Sequence, residues 1–184
     1  MSRYDDLRPL VDRWRGATAA LCRDAQVLPS FLAESLRAHL GCPARAVDPD
    51  GVSHVLVAPC AARWDGPAPA GRLALTPYEH PPQWTPYDDA RFYFGLRVLL
   101  AGAGVDWPKD PFWIVLSATR ADAAFSVRDE NSGEDFPVRT EHAASADALC
   151  AHLYAAMRRE LSAPPHLRAD RQPIGFGIAP AAGA

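Results

Sequence analysis

The run Pro111–Phe112–Trp113–Ile114–Val115–Leu116–Ser117–Ala118–Thr119 is apolar at nearly every position, as a strand covered on both faces would be. The run after it, Ala123–Arg128, alternates: Phe125 and Val127 share one face, Ser126 and Arg128 the other. Arg120 to Ala123 predict a turn between them, so the two form a hairpin at the centre of a sheet.

The same pattern reading extends over the rest of the chain. Between Asp5 and Ala25, Leu7, Val11, Trp14, Leu21 and Cys22 fall on one helical stripe with Thr18 filling the gap. This predicts a helix buried along that stripe, with Pro9 inside its first turn. Leu28–Pro29 predicts a break. A second helix then places Phe31, Leu32, Leu36 and Leu40 inward and stops at Gly41 and Pro43. Ala44–Val47 and Val52–Ala58 flank the turn Asp48–Pro49–Asp50–Gly51 as a hairpin, with Pro59 ending the second strand and Leu73–Thr76 forming a third.

Residues 86–103 fit two periods. As a strand, Phe92, Phe94, Leu96, Val98 and Leu100 line one face; as a helix, Phe92, Leu96, Leu99, Leu100 and Ala103 do. Thr85–Pro86–Tyr87–Asp88 supplies an N-cap, a first-turn proline and an acid, which favours the helix, with Gly102 and Gly104 as its stop. Downstream, Phe136–Thr140 reads as a strand that Pro137 pushes to a sheet edge. Ser145 opens a last helix on Leu149, Leu153, Ala156, Met157 and Leu161, which Pro164–Pro165 ends.

Runs of strands with few helices predict an α+β fold. It comprises a mainly antiparallel sheet of about five strands, helices packed on one face, two N-terminal helices and a C-terminal helix. Residues 1–165 form one domain and 166–184 a tail rich in Pro, Gly and Ala. In that tail Ile174, Phe176 and Ile178 alternate with small residues, a pattern able to add a strand to a sheet edge. The layout is broadly that of small secretion chaperones and toxin-immunity proteins, an analogy of fold with no shared motif behind it.

Composition narrows the function classes. A net charge of −3 gives no general electrostatic reason to bind nucleic acid or an acidic membrane surface. No stretch of 18 apolar residues could span a bilayer, and the start MSRYDDLRPL lacks the apolar core of a secretion signal. The expectation is a cytoplasmic protein. Its cysteines, Cys22, Cys42, Cys60 and Cys150, make no C-x-x-C pair and read as reduced, packed thiols. All but one of the 19 basic residues are Arg, the exception being Lys109, and with the wealth of Ala and Pro this points to a GC-rich, bacterial source.

The strongest functional signal is aromatic. Trp84, Tyr87, Phe92, Tyr93, Phe94, Trp107, Phe112 and Trp113 crowd into 30 positions. Phe92, Phe112 and Trp113 sit in core-facing patterns. Trp84 and Trp107 sit in proline-rich connections, where indoles either seal a core or anchor a protein interface. The interface predicted here is Trp84, Tyr87 and Trp107 with the acids Asp88, Asp89 and Asp106, and its partner is another protein; a second copy of the chain is a further candidate.

The rival is a small hydrolase or transferase. It would use Cys60, at the end of a predicted strand with His54 or His80 as base, or His80 beside Glu79. His142 and His152 are ten apart and make no zinc spacing, Gly102–Ala103–Gly104 follows no dinucleotide-binding strand, and no cofactor is implied.

Overall fold

The computed structural model describes residues 3–48, 50–65, 72–77, 91–100 and 111–162, and for 3, 21, 24, 25, 63–65 and 72–77 the backbone alone. Helix α1 (Arg3–Leu40) leads into a two-stranded ribbon, β1 (Arg45–Val47) with β2 (Ser53–Val55). Six further strands follow: β3 (Val57–Asp65), β4 (Arg72–Pro77), β5 (Phe92–Val98), β6 (Phe112–Ala121), β7 (Ala124–Asp129) and β8 (Asp135–Val138). A 3-10 turn (Ala143–Ala146) then opens α2 (Asp147–Ser162). The six strands make one antiparallel sheet in the order β4-β3-β5-β6-β7-β8. The fold is therefore α+β, with helices at the two ends of the chain.

The register sorts the sheet's two faces. Val57 opposes Val98, which opposes Phe112; Phe94 opposes Leu116, and Val127 opposes Phe136. These side chains form one face, and onto it pack Leu28, Leu32 and Leu36 of α1 with Leu149, Cys150, Leu153 and Met157 of α2. The other face carries Cys60, Gly95 and Val115 in one row and Tyr93, Ser117 and Arg128 in the next. Cys60, Val115 and Ser117 are buried there as well. β6 is thus covered on both faces, as its unbroken apolar run predicts.

Turn chemistry follows residue type. Ala121 pairs with Ala124, leaving a two-residue turn in which Asp122 takes φ +51°, a left-handed conformation that Asp tolerates better than most residues. α1 ends as its sequence predicts: Gly41 at φ +64° lets its own N–H reach the Ala38 carbonyl and the Cys42 N–H reach that of Arg37.

Four expectations need correction. Residues 92–98 are strand, not helix: β5 is hydrogen-bonded between β3 and β6 and buries Phe92, Phe94, Leu96 and Val98 on the core face. The local helix-start signal lost to pairing on both sides. The two N-terminal helices are one, 38 residues long, with Pro9 beyond the first turn and Pro29 in the interior. An interior proline costs about 3 kcal/mol, but Pro29 is fully buried among Leu28, Leu32 and Leu36, whose packing outweighs it.

Pro59 does not end its strand: it lies inside β3 paired with Leu96 of β5, and the described pairing with β4 begins at Cys60. Finally, the stripe expected to be buried between Asp5 and Ala25 faces solvent at Leu7, Val11 and Trp14. Elsewhere the reading holds in part: β8 is the edge strand that Pro137 indicates, and α2 buries Leu149, Leu153 and Met157 but leaves Leu161 exposed. The expected strand Val52–Ala58 is divided at Leu56 between β2 and β3, which belong to different sheets.

Candidate functional site

The first turns of α1 carry a run of exposed large apolar side chains. Tyr4 is 70% exposed, Leu7 55%, Leu10 50% and Trp14 69%, with Val11 beside them. Every described side chain from Tyr4 to Ala17 is exposed, whereas Leu28 and Leu32 on the same helix are buried. The helix therefore has a docked half and a projecting half, the uniformly exposed run from Tyr4 to Ala17 being about 20 Å long at 1.5 Å per residue. Arg8, Arg13 and Arg15 alternate with Asp5, Asp6 and Asp12 around the apolar stripe. Monomeric proteins rarely leave four or five large apolar side chains contiguous in water without a binding role.

Two polar clusters bring together the residue types of acid–base chemistry. In the first, His152 on α2 reaches the β7–β8 turn. Its Nε2 lies 2.9 Å from Asp129 Oδ2 and 3.2 Å from Ser132 Oγ, and its Nδ1 lies 3.4 Å from Glu134 Oε2. Serine, histidine and acid are all present, but two of them share one nitrogen. While Nε2 donates to the buried Asp129 carboxylate, it cannot take the Ser132 proton, so the serine is not activated. The cluster works instead as a clamp. Asp129 also accepts the Asn131 N–H (3.1 Å), Ser132 Oγ accepts that of Glu134 (3.2 Å), and the ring of Phe136 lies 5.0 Å from the imidazole.

In the second, Ser117 donates to Glu130 on the sheet's other face, and Arg91 Nη1 approaches both Ser117 Oγ (3.4 Å) and Glu130 Oε1 (3.8 Å). These bonds join the start of β5 to the end of β7 and satisfy a buried hydroxyl.

The residues singled out from sequence fare unequally. Trp84, Tyr87, Asp88, Asp89, Asp106, Trp107, Glu79 and His80 all lie outside the described residues, as does the tail 166–184. His54 sits on β2 with Nε2 2.8 Å from Asp48 Oδ2, while Asp48 Oδ1 accepts the Val52 N–H at 2.7 Å. The hydrogen bond from His54 holds the Asp48 carboxyl below its usual range, a structural tie for the β1–β2 turn.

Cys60 is 1% exposed, and burial pushes its thiol up to about 12, against a smaller opposing pull from Arg97. At neutral pH it stays protonated, which weighs against a nucleophilic role. Burial, reinforced by Asp147, likewise raises Cys150 to about 11. Mapped thiol labelling at about pH 7.5 should therefore modify Cys22 and Cys42, both only partly buried, and spare Cys60 and Cys150 until denaturant is added. Native labelling of Cys60 at the rate of Cys22 would refute this.

Sequence reasoning had identified part of the exposed surface and given it the wrong neighbour. Tyr4, Leu7, Val11, Trp14 and Thr18 are spaced 3-4-3-4, and Leu21, Ala25, Leu28 and Leu32 continue the spacing. That period of 3.5 marks a coiled-coil seam more closely than the 3.6 of a helix lying on a sheet.

Taken together, the fold and this surface define an α+β protein with a projecting amphipathic helix. No family model matches the chain, and neither does any curated protein or solved structure. Among the described residues no group of three or more His, Cys, Asp or Glu side chains could hold a metal ion, and no helix is long and apolar enough to cross a membrane.

Proposed function

We propose that this chain is a non-enzymatic, cytoplasmic protein-binding module of immunity, secretion-chaperone or adaptor type, with the projecting half of α1 as its docking surface. One observation carries the reading: Tyr4, Leu7, Leu10, Val11 and Trp14 form a continuous, solvent-facing apolar stripe on a helix whose other half is anchored in the core. Such a stripe is how helix-in-groove and helix–helix recognition present their anchors. A helical run as short as residues 4–17 is marginal in water on its own, so a partner that covers it contributes directly to its order. Trp84, Tyr87 and Trp107 with Asp88, Asp89 and Asp106 form a second contact region in this reading, on the sequence argument alone.

The test is affinity capture with the intact chain and with a Leu7→Ala/Trp14→Ala variant. Alanine favours helix, so α1 keeps its conformation and the unfolding midpoint should not fall. Burying each of the two side chains stabilises a complex by about 1.5–3 kcal/mol, so the double variant should lose affinity by two to four orders of magnitude. A folded variant that keeps every partner of the parent would rule out the α1 surface. A Trp84→Ala/Trp107→Ala variant measures the second region in the same assay.

A further inference from the structure

Resting on that reading, we propose that the partner is a different polypeptide, which lays an α-helix with a carboxylate-bearing edge along α1. The seam's geometry argues for a helix. Tyr4, Leu7, Val11, Trp14 and Thr18 occupy the alternating core positions of a heptad repeat, and the register runs without interruption into Leu28 and Leu32. At Leu28 and Leu32 the seam is closed by the protein's own core, including Leu149, Leu153 and Met157 of α2. From Tyr4 to Trp14 the same seam is open. A knob-into-hole surface of period 3.5 is complementary to another helix and poorly matched to a flat sheet.

Charge along its edges selects among helices. One edge of the seam is flanked by Arg8 and Arg15, one heptad apart and both exposed, while the heptad positions of the other edge hold, in sequence, Arg3, Leu10, Ala17 and Asp24. In an antiparallel pair of copies like edges meet, setting Arg8 against Arg15 of the other copy. In a parallel pair, where facing edge positions are five apart, Arg15 meets Leu10 and Arg8 meets position 3, another arginine, so neither meets a carboxylate. Neither arrangement brings a carboxylate of the second copy to Arg8 or Arg15, which have only Asp5 and Asp12 of their own helix one turn away, so the edge works against self-pairing. A helix with Glu or Asp at the facing positions gives each guanidinium a two-pronged partner and turns the same edge into attraction.

The experiment titrates the full chain with two synthetic peptides about three heptads long, followed by calorimetry. Both have Leu and Ile at the core positions; one carries Glu on its flanks and the other Lys, and mutual repulsion keeps each peptide monomeric. The Glu peptide should bind about tenfold or more tighter than the Lys peptide at about 0.1 M salt, and the gap should shrink at about 1 M. Arg8→Glu/Arg15→Glu should reverse the preference, and the chain alone should sediment as a monomer.

Equal binding of the two peptides, or binding of neither, overturns the inference. So does a dimer of the chain that Leu7→Ala/Trp14→Ala dissociates, which would make the second copy the occupant. If the peptides fail while the alanine variant still loses its cellular partner, only the helix class is lost. If that variant also keeps its partners, the docking surface itself is wrong.

Discussion

Replacing Phe94 with alanine should lower the stability of the folded chain by about 3–5 kcal/mol, the usual cost of emptying a phenylalanine site in a close-packed core. Phe94 heads the largest fully buried side chains, lies on β5 between β3 and β6, and stacks on Phe92 at a ring distance of 5.7 Å. The loss has two parts: transfer of the ring to water, and a cavity bounded by two neighbouring strands that cannot both move in. Against a typical total of about 5–15 kcal/mol it removes about a fifth of the stability or more, and in a chain of this size the melting temperature should fall by roughly 6–20 °C. Tyr4→Ala is the internal control: that ring is already 70% exposed, and its removal should change stability by less than about 0.5 kcal/mol. Similar losses at the two positions would mean that β5 is not the packed centre of the sheet.

The second large effect is expected at the clamp between α2 and the β7–β8 turn. Asp129 is 3% exposed and opposes Leu116 on the face of the sheet that the helices cover, so its carboxylate is held away from water. Its side-chain partners are His152 Nε2 at 2.9 Å and the Asn131 N–H at 3.1 Å. His152→Ala leaves Oδ2 buried and without the imidazole, and should cost about 3 kcal/mol. Asp129→Ala alone also breaks the turn's hydrogen bond to Asn131. The His152→Ala/Asp129→Ala double variant should therefore lose much less than the sum of the singles, because one group no longer strands the other. Urea unfolding of the four proteins measures this directly. Additive losses, or a His152→Ala effect below about 0.5 kcal/mol, would show that the two side chains do not depend on each other.

Both predictions concern features that the sequence revealed only in part. The alternation at Phe92, Phe94, Leu96 and Val98 was visible, but the helix stripe through Phe92, Leu96 and Leu99 competed with it, and the start signal at Thr85–Pro86 favoured the helix. Hydrogen bonding to β3 and β6 decided the matter, and both strands lie far from β5's own local pattern. The clamp was less legible still. In the sequence His152 stands only in relation to His142, at a spacing that makes no zinc site; Asp129 lies 23 positions away and meets it only when α2 folds back over β7.

Local pattern by itself determined the hairpin of β6 and β7, the edge position of β8, the stop of α1 at Gly41 and the buried stripe of α2. Each of these depends on residues within a turn or two of one another, where backbone sterics and side-chain period act directly. It also determined which residues of α1 share a stripe. Only the tertiary structure decided what that stripe meets: core from Leu28 onward, solvent from Tyr4 to Trp14. Periodicity fixes the direction in which a side chain points along a helix. Whether anything waits there is settled by the reach of the sheet and of α2, which cover the C-terminal half of α1 and end before its first turns.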